Sequence, residues 1–259
     1  MDRRTFGEIC RVRDLCWGVM ITEFMTPQVV RTFARAGYDW LWLDNEHSHH
    51  SYESIQEVIR TAEDVGVITL LRVTQGMYHL IARGLDMGAS GIIVPRVETV
   101  EQVRQIVDCA KYPPVGKRGF GIRPNLFPGR NASMKSRIED QNDNRFLMIQ
   151  IESQLGVNNI EALLDAGGEH IDAVCVGPAD FQVDIGKPDS PDAPELDRAM
   201  RRIGDVCAAR EISACANAHS LQDARVWIDR GFTLLTYSFD YGFMFNAAAD
   251  AREALRGLE

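Results

Sequence analysis

The sequence lacks any apolar run that approaches the roughly 20 residues needed to cross a membrane, and its N-terminus has no apolar signal core. It also has no excess of positive charge, since 28 Lys and Arg residues stand against 37 Asp and Glu residues. The net charge of -9 argues against a nucleic-acid partner, which favours a basic surface. The composition therefore predicts a cytoplasmic protein with neither a membrane nor a nucleic acid as its partner.

The sequence also lacks paired cysteines and a lysine at the end of a predicted strand. None of the six cysteines forms a CxxC pair, and several lie in apolar segments such as AVCVG, which predicts buried free thiols rather than disulfides or a zinc site. Lysine occurs only at positions 111, 117, 135 and 187, outside every segment that reads as a strand. A Schiff-base enzyme needs a desolvated lysine at a strand end, so this chemistry is disfavoured.

What is present is a regular alternation of short apolar segments and amphipathic segments. The predicted strands are residues 16–21, 40–46, 68–73, 91–97, 146–152, 173–179, 212–218 and 234–239, and the clearest helices are 26–37, 54–66, 99–110 and 223–231. Strands that are apolar throughout are typical of a parallel sheet covered on both faces. Eight strand–helix units predict one (β/α)8 TIM-barrel domain over residues 1–259. A doubly wound open sheet is the alternative, but no glycine-rich turn follows the first strand.

Polar residues follow the predicted strands at the end where barrel enzymes carry their active sites. The segment WLWLDNEHSHH, residues 40–50, changes within a few positions from apolar to ionisable. The residues that the strand ends carry are Asp44, Glu46, His47, Arg72, Gln150, Glu152 and, within the turn GPAD, Asp180. Each alone has a structural explanation, such as a helix cap, an ion pair or a solvated side chain. Together they predict a site.

The chemistry of this set indicates a divalent cation. Glu152 and Asp180 come from adjacent strand ends, and two carboxylates brought together repel unless a proton or a cation lies between them. Oxygen ligands suit Mg²⁺ or Mn²⁺, with Co²⁺ as a third option. Arg72 beside the cation would attract an anionic substrate, and His47 is the natural acid or base near neutral pH.

At these residues the sequence resembles the HpcH/HpaI aldolases, class II pyruvate aldolases of the phosphoenolpyruvate-binding barrel type. The stretches that carry the resemblance are GYDWLWLDNEHS (37–48), LLRV (70–73), LDMGASGIIVPRVET (85–99), YPPVGKRGFG (112–121), IQIES (149–153) and VGPADFQVDIG (176–186). They occur in the order and at the spacings of the family and cover about residues 16 to 250. The resemblance implies reversible cleavage of a 4-hydroxy-2-oxo acid to pyruvate and an aldehyde.

The resemblance also implies roles for individual residues. Glu152 and Asp180 would hold the metal, and Gln150 with the backbone at Gly177 and Ala179 would bind the pyruvate part of the substrate. Further roles fall to Arg72, which would stabilise the enolate, and to His47, which would be the base, with Asp86 raising its basicity. Asp44 and Glu46 are interpreted as support: they would orient His47 or hydrogen-bond a water on the metal.

The sequence departs from the family pattern in three regions. SHHSYES follows the EH pair, and His49 and His50 either begin a helix, which is the favoured interpretation, or face the aldehyde side of the pocket. The eighth strand reads TYSFD. The third region is GIRPNLFPGR (121–130), which ends the Gly-, Pro- and Arg-rich loop at 112–130. Arg118 or Arg123 of this loop is a candidate to bind a distal carboxylate or hydroxyl of the substrate.

Three other functions remain open from the sequence. The first is an oxaloacetate decarboxylase whose enolate forms a carbon–carbon bond, as in macrophomate synthase. The second is an acyl-CoA lyase, which the acidic charge disfavours, and the third is a non-catalytic barrel that binds a 2-oxo acid. The family resemblance also implies a homohexamer in which a C-terminal helix is exchanged between subunits, and the apolar tail FDYGFMFNAAADAREALRGL suits that role.

Overall fold

The structure is a computed structural model that describes residues 3–12, 14–121 and 132–258. Eight strands pair in parallel in chain order, and the first also pairs with the last, which closes a barrel. The strands are β1 (Cys16–Ile21), β2 (Trp40–Asp44), β3 (Ile68–Arg72), β4 (Gly91–Val94), β5 (Phe146–Ile151), β6 (Ala173–Val176), β7 (Ser213–Ala218) and β8 (Leu234–Phe239). The predicted barrel is confirmed, and closure excludes the open sheet.

Helices cover the outside of the barrel. They are α1 (Arg3–Val12), α2 (Pro27–Ala36), α3 (Tyr52–Val65), α4 (Tyr78–Met87), α5 (Val100–Ala110), α6 (Met134–Asn144), α7 (Gln154–Gly167), α8 (Pro178–Asp184), α9 (Pro194–Ala209), α10 (Leu221–Asp229) and α11 (Asp240–Arg256). A short 3₁₀ helix, Gly168–His170, follows α7. The four helices that the sequence indicated most clearly correspond to α2, α3, α5 and α10.

The helix boundaries follow from local sequence. Pro27 begins α2, where its missing N–H costs no hydrogen bond, and Gly37 ends it with φ of 91°, a conformation that glycine adopts without strain. The side chain of Ser51 caps α3 by accepting from the backbone of Ser54, and Gly66 ends that helix with φ of 73°. These caps fix where each helix leaves the barrel, and so where each strand-end loop lies.

Strands β4 and β6 end earlier than the sequence predicts. Each is followed within two residues by a proline, and a proline has no N–H for the next ladder bond. Strand β4 therefore stops at Val94 before Pro95, and β6 stops at Val176 before Gly177 and Pro178. The residues left over from the predicted strands become the turns that carry the candidate site.

Alternation along the strands gives the barrel two apolar layers. Trp40 and Trp42 belong to the buried cluster that includes Leu70, while Leu41 and Leu43 belong to the other cluster, together with helix residues. This is the two-residue period of a strand with one face toward the interior and the other toward the helices. A Cβ at Gly18 would lie 2.4 Å from the Trp40 ring, so glycine there gives the indole its space.

Helix α1 packs at the amino end of the barrel. Phe6 is 1% exposed, and its ring lies 5.2 Å from that of Phe146 and 6.4 Å from that of Trp40, measured between centroids. Phe146 and Trp40 are the first residues of their strands, so α1 closes this end with apolar contacts. The opposite, carboxyl end stays open.

The cysteines agree with the prediction from composition. All six cysteines are buried and free, as the sequence indicated. Within the described residues, no helix is both long enough and apolar enough to pass through a membrane.

Candidate active site at the carboxyl end of the barrel

Two carboxylates from the end of β2 hold Arg72. Asp44 is 1% exposed, and its Oδ1 accepts from Arg72 Nε at 2.8 Å. Glu46 Oε2 lies 3.1 Å from Arg72 Nη1. Asp44 and Arg72 are direct partners in the β2–β3 ladder, so the strand register itself brings them together. The guanidinium also lies over the ring of Trp42, 5.2 Å from its centroid, so ion pairs and an aromatic face fix its orientation.

Strand β5 carries a buried amide and a buried carboxylate on one face. Gln150 and Glu152 are two positions apart, so their side chains point to the same face of the strand. They are 4% and 5% exposed. Gln150 Nε2 donates to Glu152 Oε2 at 2.6 Å, and the backbone N–H of Arg96 donates to Glu152 Oε1 at 2.9 Å. Gln150 Oε1 is buried and has no hydrogen-bond partner among the described residues. It is an acceptor without a donor.

The turn after β6 packs directly against Glu152. A Cβ at Gly177 would lie 2.3 Å from Glu152 Oε2, so only glycine lets the carboxylate keep its position. The N–H of Gly177 donates to Ile151 O and is therefore already paired. Gly177 contributes to the site by having no side chain. Ala179 and Asp180 follow in the first turn of α8, where helix N–H groups have no intrahelical acceptor.

Negative charge accumulates where these turns meet. Burial, with Asp180 and Glu46 nearby, raises the pKa of Glu152 from 4.5 to about 7. Burial also raises the pKa of Glu46, where repulsion from Asp44 and Asp180 adds to it while Arg72 and His47 oppose it. Arg96 Nη1 lies 3.8 Å from Asp180 Oδ1, a solvent-exposed contact that compensates little. The strand ends therefore hold more carboxylates than cations.

This donor set fits a divalent cation with oxygen ligands. The ionised form of Glu152 is disfavoured by burial and by the nearby Asp180, and it would be favoured by a positive charge between the two side chains. The unpaired oxygen of Gln150 adds a third acceptor. Among the described residues, no group of three or more His, Cys, Asp or Glu side chains forms a closed metal cage. Two carboxylates suffice for Mg²⁺ or Mn²⁺, because these ions keep other positions for water and substrate.

His47 lies at the edge of the same cavity. Its side chain is 66% exposed, and Nε2 lies 3.6 Å from Glu46 Oε2. Of the two predicted supporting carboxylates, Glu46 therefore contacts both His47 and Arg72, while Asp44 contacts Arg72.

The structure does not bring Asp86 to His47. Asp86 is the penultimate residue of α4, which returns from the carboxyl end of β3 to the amino end of β4. Its Oδ1 accepts from Arg118 Nη2 at 2.6 Å, and no hydrogen bond or ion pair joins it to His47 in the described parts of the chain. The expected pairing is thus absent within the chain, because the helix carries Asp86 to the far end of the barrel.

The two candidate arginines of the 112–130 loop have different outcomes. Arg118 is a structural residue, since its side chain is 1% exposed, pairs with Asp86 and lies 4.7 Å from the centroid of the Tyr112 ring. It does not line the cavity that contains His47 and Arg72. Arg123 lies outside the described residues.

The adjacent histidines take both of the positions that the sequence left open. His49 and His50 stack with their centroids 4.9 Å apart, just before the Ser51 cap of α3. His49 lines the cavity, whereas His50 Nε2 lies 3.0 Å from the carbonyl oxygen of Thr22. The favoured interpretation, that both only begin a helix, therefore describes His50 better than His49.

Several residues of this end escaped the sequence analysis. Arg96 adopts φ of 54°, which is uncommon for a residue with a side chain, and this turn directs its N–H to Glu152. Asp240 is buried and accepts from the backbone of Thr22, Glu23 and Phe24, tying α11 to the end of β1. The adjacency of Asp240 to TYSF gave no indication of that contact.

Comparison with known proteins gives a consistent result. The family model HpcH/HpaI aldolase/citrate lyase matches residues 19–247. The 2-keto-3-deoxy-L-rhamnonate aldolase of Escherichia coli (strain K12) is 34% identical over 202 residues, which are 76% of this chain and 74% of that protein. The solved HpcH/HpaI aldolase of Desulfitobacterium hafniense DCB-2 has a TM-score of 0.89 at 26% identity, covering 96% of this chain and 95% of its own. The solved citrate synthase SbnG has a TM-score of 0.84, also at 26% identity, covering 98% of each chain.

Proposed function

Because this chain belongs to the HpcH/HpaI aldolase/citrate lyase family, it is a carbon–carbon lyase of the class II aldolase type, and we propose that its substrate is a 4-hydroxy-2-oxo acid. The products are pyruvate and an aldehyde, and the reaction runs in both directions. The 2-keto-3-deoxy-L-rhamnonate aldolase of Escherichia coli, named for a substrate of this chemical class, supports the proposal.

One observation carries the proposal: a buried carboxylate with a raised pKa, Glu152, lies near a second carboxylate, Asp180, which lines the same cavity as the fixed Arg72. Glu152 has a pKa of about 7 because of burial, Asp180 and Glu46. Arg72, Gln150 and Asp180 line the cavity with His47. A site that needs a positive charge and lies beside a guanidinium suits a small 2-oxo acid, which brings a carboxylate and a ketone oxygen.

Glu152 and Asp180 are the residues that would hold the cation, which we propose is Mg²⁺ or Mn²⁺, with Co²⁺ as the third choice. When bound, it would act as a Lewis acid toward the 2-oxo acid and draw electron density from the reacting carbon. Gln150 would bind the pyruvate part of the substrate, together with the backbone N–H of Ala179 in the first turn of α8. Gly177 leaves the space in which Glu152 and Gln150 meet.

Arg72 would stabilise the enolate oxygen. Asp44 engages its Nε and Glu46 its Nη1, so among the described contacts Nη2 is left for the substrate. The two carboxylates prevent the guanidinium from turning, and the Trp42 ring lies against it. A donor fixed before the reaction stabilises developing negative charge without the cost of reorienting.

His47 would move the proton. In cleavage it takes the proton of the C4 hydroxyl as the C3–C4 bond breaks, and the electrons of that bond pass to the enolate. In the reverse direction it returns the proton to the aldehyde oxygen. Glu46 Oε2 lies 3.6 Å from His47 Nε2, so this carboxylate would help to orient the imidazole ring. The predicted contribution of Asp86 to this step gains no support from its pairing with Arg118.

We also infer a cytoplasmic location and a homo-oligomer. Six buried free cysteines are typical of a reducing compartment. Helix α11 exposes Met244, Phe245 and Leu255, an apolar content that would be covered if the helix packed on a neighbouring subunit, as in the predicted hexamer. Light scattering at micromolar concentration would reveal the oligomer, and a monomer mass would remove the claim.

Deuterium exchange at the methyl group of pyruvate tests the proposed function without knowledge of the aldehyde. The exchange is followed by NMR in D₂O with Mg²⁺, Mn²⁺ or Co²⁺, with EDTA, and with Glu152→Ala. We expect exchange that needs the cation and is lost in the variant. No exchange with any cation would reject pyruvate as the nucleophile. Oxaloacetate decarboxylation would then be assayed, and a chain inactive in both but binding 2-oxo acids would be a non-catalytic binder.

A further inference from the structure

The candidate site occupies only part of a larger cavity. The cavity has a volume of about 970 Å³ and extends from the ends of β2, β3, β5 and β6 to the ends of β7 and β8. His47, Arg72 and Gln150 line the first side, and residues that follow β7 and β8 line the second. A 2-oxo acid bound at the first side leaves the second side for the aldehyde part of the substrate.

The second side carries a series of three adjacent rings, here called the aromatic stack: His219, Phe239 and Tyr241. The centroids of His219 and Phe239 are 5.5 Å apart at an interplanar angle of 33°, and those of Phe239 and Tyr241 are 5.3 Å apart at 13°. All three rings line the cavity, and Tyr241 is 47% exposed. Adjacent aromatic rings in a cavity wall offer a surface against which a planar apolar group can pack.

Hydrogen bonds fix the backbone of the two segments that carry the aromatic stack. The backbone N–H of His219 donates to Asp223 Oδ2 at 2.9 Å, at the start of α10. The N–H of Tyr241 donates to Asp240 Oδ1 at 2.9 Å, and Asp240 is itself buried. The backbone that carries the rings is therefore fixed in the absence of a ligand, which lowers the entropic cost of binding.

The charge of the cavity disfavours an aldehyde with a second carboxylate. Its acidic lining residues are Glu23, Asp44, Asp180, Asp192, Asp197 and Asp223. The arginines among the described lining residues are Arg72, which pairs with Asp44, and Arg230, which pairs with Asp197. No unpaired arginine or lysine of the described lining residues is left for a distal carboxylate, and the acidic residues would repel it.

We propose that the aldehyde partner of this enzyme is neutral and aromatic, with its ring packed against the aromatic stack of His219, Phe239 and Tyr241. The inference rests on the proposed function. With benzaldehyde as the probe, C3 of pyruvate loses a proton and forms the new bond to the aldehyde carbon. The aldehyde oxygen gains a proton, and the product 4-hydroxy-2-oxo-4-phenylbutanoate keeps every other atom of the reactants.

The test compares three aldehydes in the addition direction: benzaldehyde, lactaldehyde and succinic semialdehyde. Pyruvate methyl exchange is measured first on the same preparation, so failure of the proposed function is seen separately. We expect kcat/KM to be about tenfold higher for benzaldehyde than for lactaldehyde, which is small and cannot cover the rings. Succinic semialdehyde should be the poorest substrate. Exchange without addition to benzaldehyde, or a higher kcat/KM for either other aldehyde, would overturn the inference.

Variants test the assignment of the stack. Phe239→Leu should lower the benzaldehyde-to-lactaldehyde ratio of kcat/KM about tenfold, because it removes the central ring. Phe120→Leu is the matched control: it is the same change on an exposed ring outside the cavity lining, and the ratio should not move. Saturation-transfer NMR with benzyl alcohol gives a readout that needs no turnover, and its signal should weaken in Phe239→Leu alone. Equal ratios in both variants would contradict the assignment.

Discussion

The two ends of the barrel both bury ionisable groups, yet they satisfy them differently. At the amino end, Lys111 is 3% exposed, and its Nζ donates to Asn142 O at 2.6 Å and Arg145 O at 3.0 Å. Nearby, Arg118 pairs with Asp86. Burial lowers the pKa of Lys111, but the carbonyl oxygens stabilise its charge. Each buried cation of this pair has acceptors within the chain.

The carboxyl end leaves its buried groups incomplete. Glu152 and Glu46 both have raised pKa values, and Gln150 Oε1 has no partner among the described residues. Arg72 is the buried cation there, and it is already shared between two carboxylates. Burial of charged groups alone therefore does not identify a functional site, because both ends of the barrel bury them. Carboxylates with raised pKa values near a cavity, together with an unpaired acceptor that lines this cavity, do identify one, because a fold gains nothing from them without a ligand.

The largest expected effect is that of Arg72→Lys. A lysine ammonium cannot bind Asp44, Glu46 and an enolate oxygen together, because it lacks the planar fork of the guanidinium. We expect the rate of pyruvate methyl exchange to fall by about 10²–10³-fold, the usual cost of losing one fixed donor to an oxyanion. NMR in D₂O at saturating cation measures it. An exchange rate within a factor of three of wild type would show that Arg72 is only structural.

The pH dependence of stability sharpens the comparison next. The pKa of Glu152 is raised from 4.5 to about 7, so the folded state holds a proton that the unfolded state has lost in this interval. Without divalent cation, stability is then retained below about pH 4.5 and lost as pH rises through 7, by an amount on the order of 3 kcal/mol.

Urea unfolding at pH 5 and pH 8 in EDTA measures this loss. Glu152→Gln should remove it, because glutamine does not titrate. Added Mn²⁺ should raise the unfolding free energy of the wild type at pH 8, and it should not raise that of the variant, which lacks the carboxylate. An unfolding free energy of the variant that falls with pH as steeply as that of wild type would assign the loss to other groups.

Gly177→Ala should weaken the site through sterics alone. Its Cβ would lie 2.3 Å from Glu152 Oε2 and 2.9 Å from Gln150 Nε2, so the carboxylate must move. We expect the affinity for Mn²⁺ to fall about 10- to 100-fold, as for other changes that misplace a ligand. Gly257→Ala is the control, since its Cβ would meet only Ala254 O at 3.3 Å. Equal affinities in the two variants would contradict the packing argument.

The smallest effect on activity is expected at the amino end. Lys111→Met keeps the apolar stem but leaves two buried carbonyl oxygens without their donor. Stability should fall by about 1–3 kcal/mol, while the exchange rate per folded molecule stays unchanged. Denaturation and exchange measured on one preparation separate the two. A loss of exchange without a loss of stability would mean that the two ends are coupled.

The sequence predicted the barrel because each strand is a short, nearly continuous apolar run. It also predicted which polar residues meet, since Gln150 and Glu152 share a strand face and the end of β6 follows beside them. Those relations depend on chain order and strand period, which are local properties. The family roles proposed for Glu152 and Asp180 await experiment.

Other contacts depend on three-dimensional packing and could not be predicted from the sequence. The position of Asp86 follows from the return of α4 to the amino end of the barrel. There Asp86 pairs with the buried Arg118. The rings of His219 and Phe239 come together because β7 and β8 are neighbours, and each residue lies at the carboxyl end of its strand. No short-range pattern encodes such contacts.

The most direct test of the account is a calorimetric titration of Mn²⁺ into the metal-stripped protein at pH 8 with pyruvate present. Wild type, Glu152→Gln and Asp180→Asn are compared, and circular dichroism confirms that each is folded. We expect one Mn²⁺ per chain in wild type and an affinity at least about 100-fold weaker in either variant. Unchanged affinity in both variants would show that the buried carboxylates at the carboxyl end do not form the cation site.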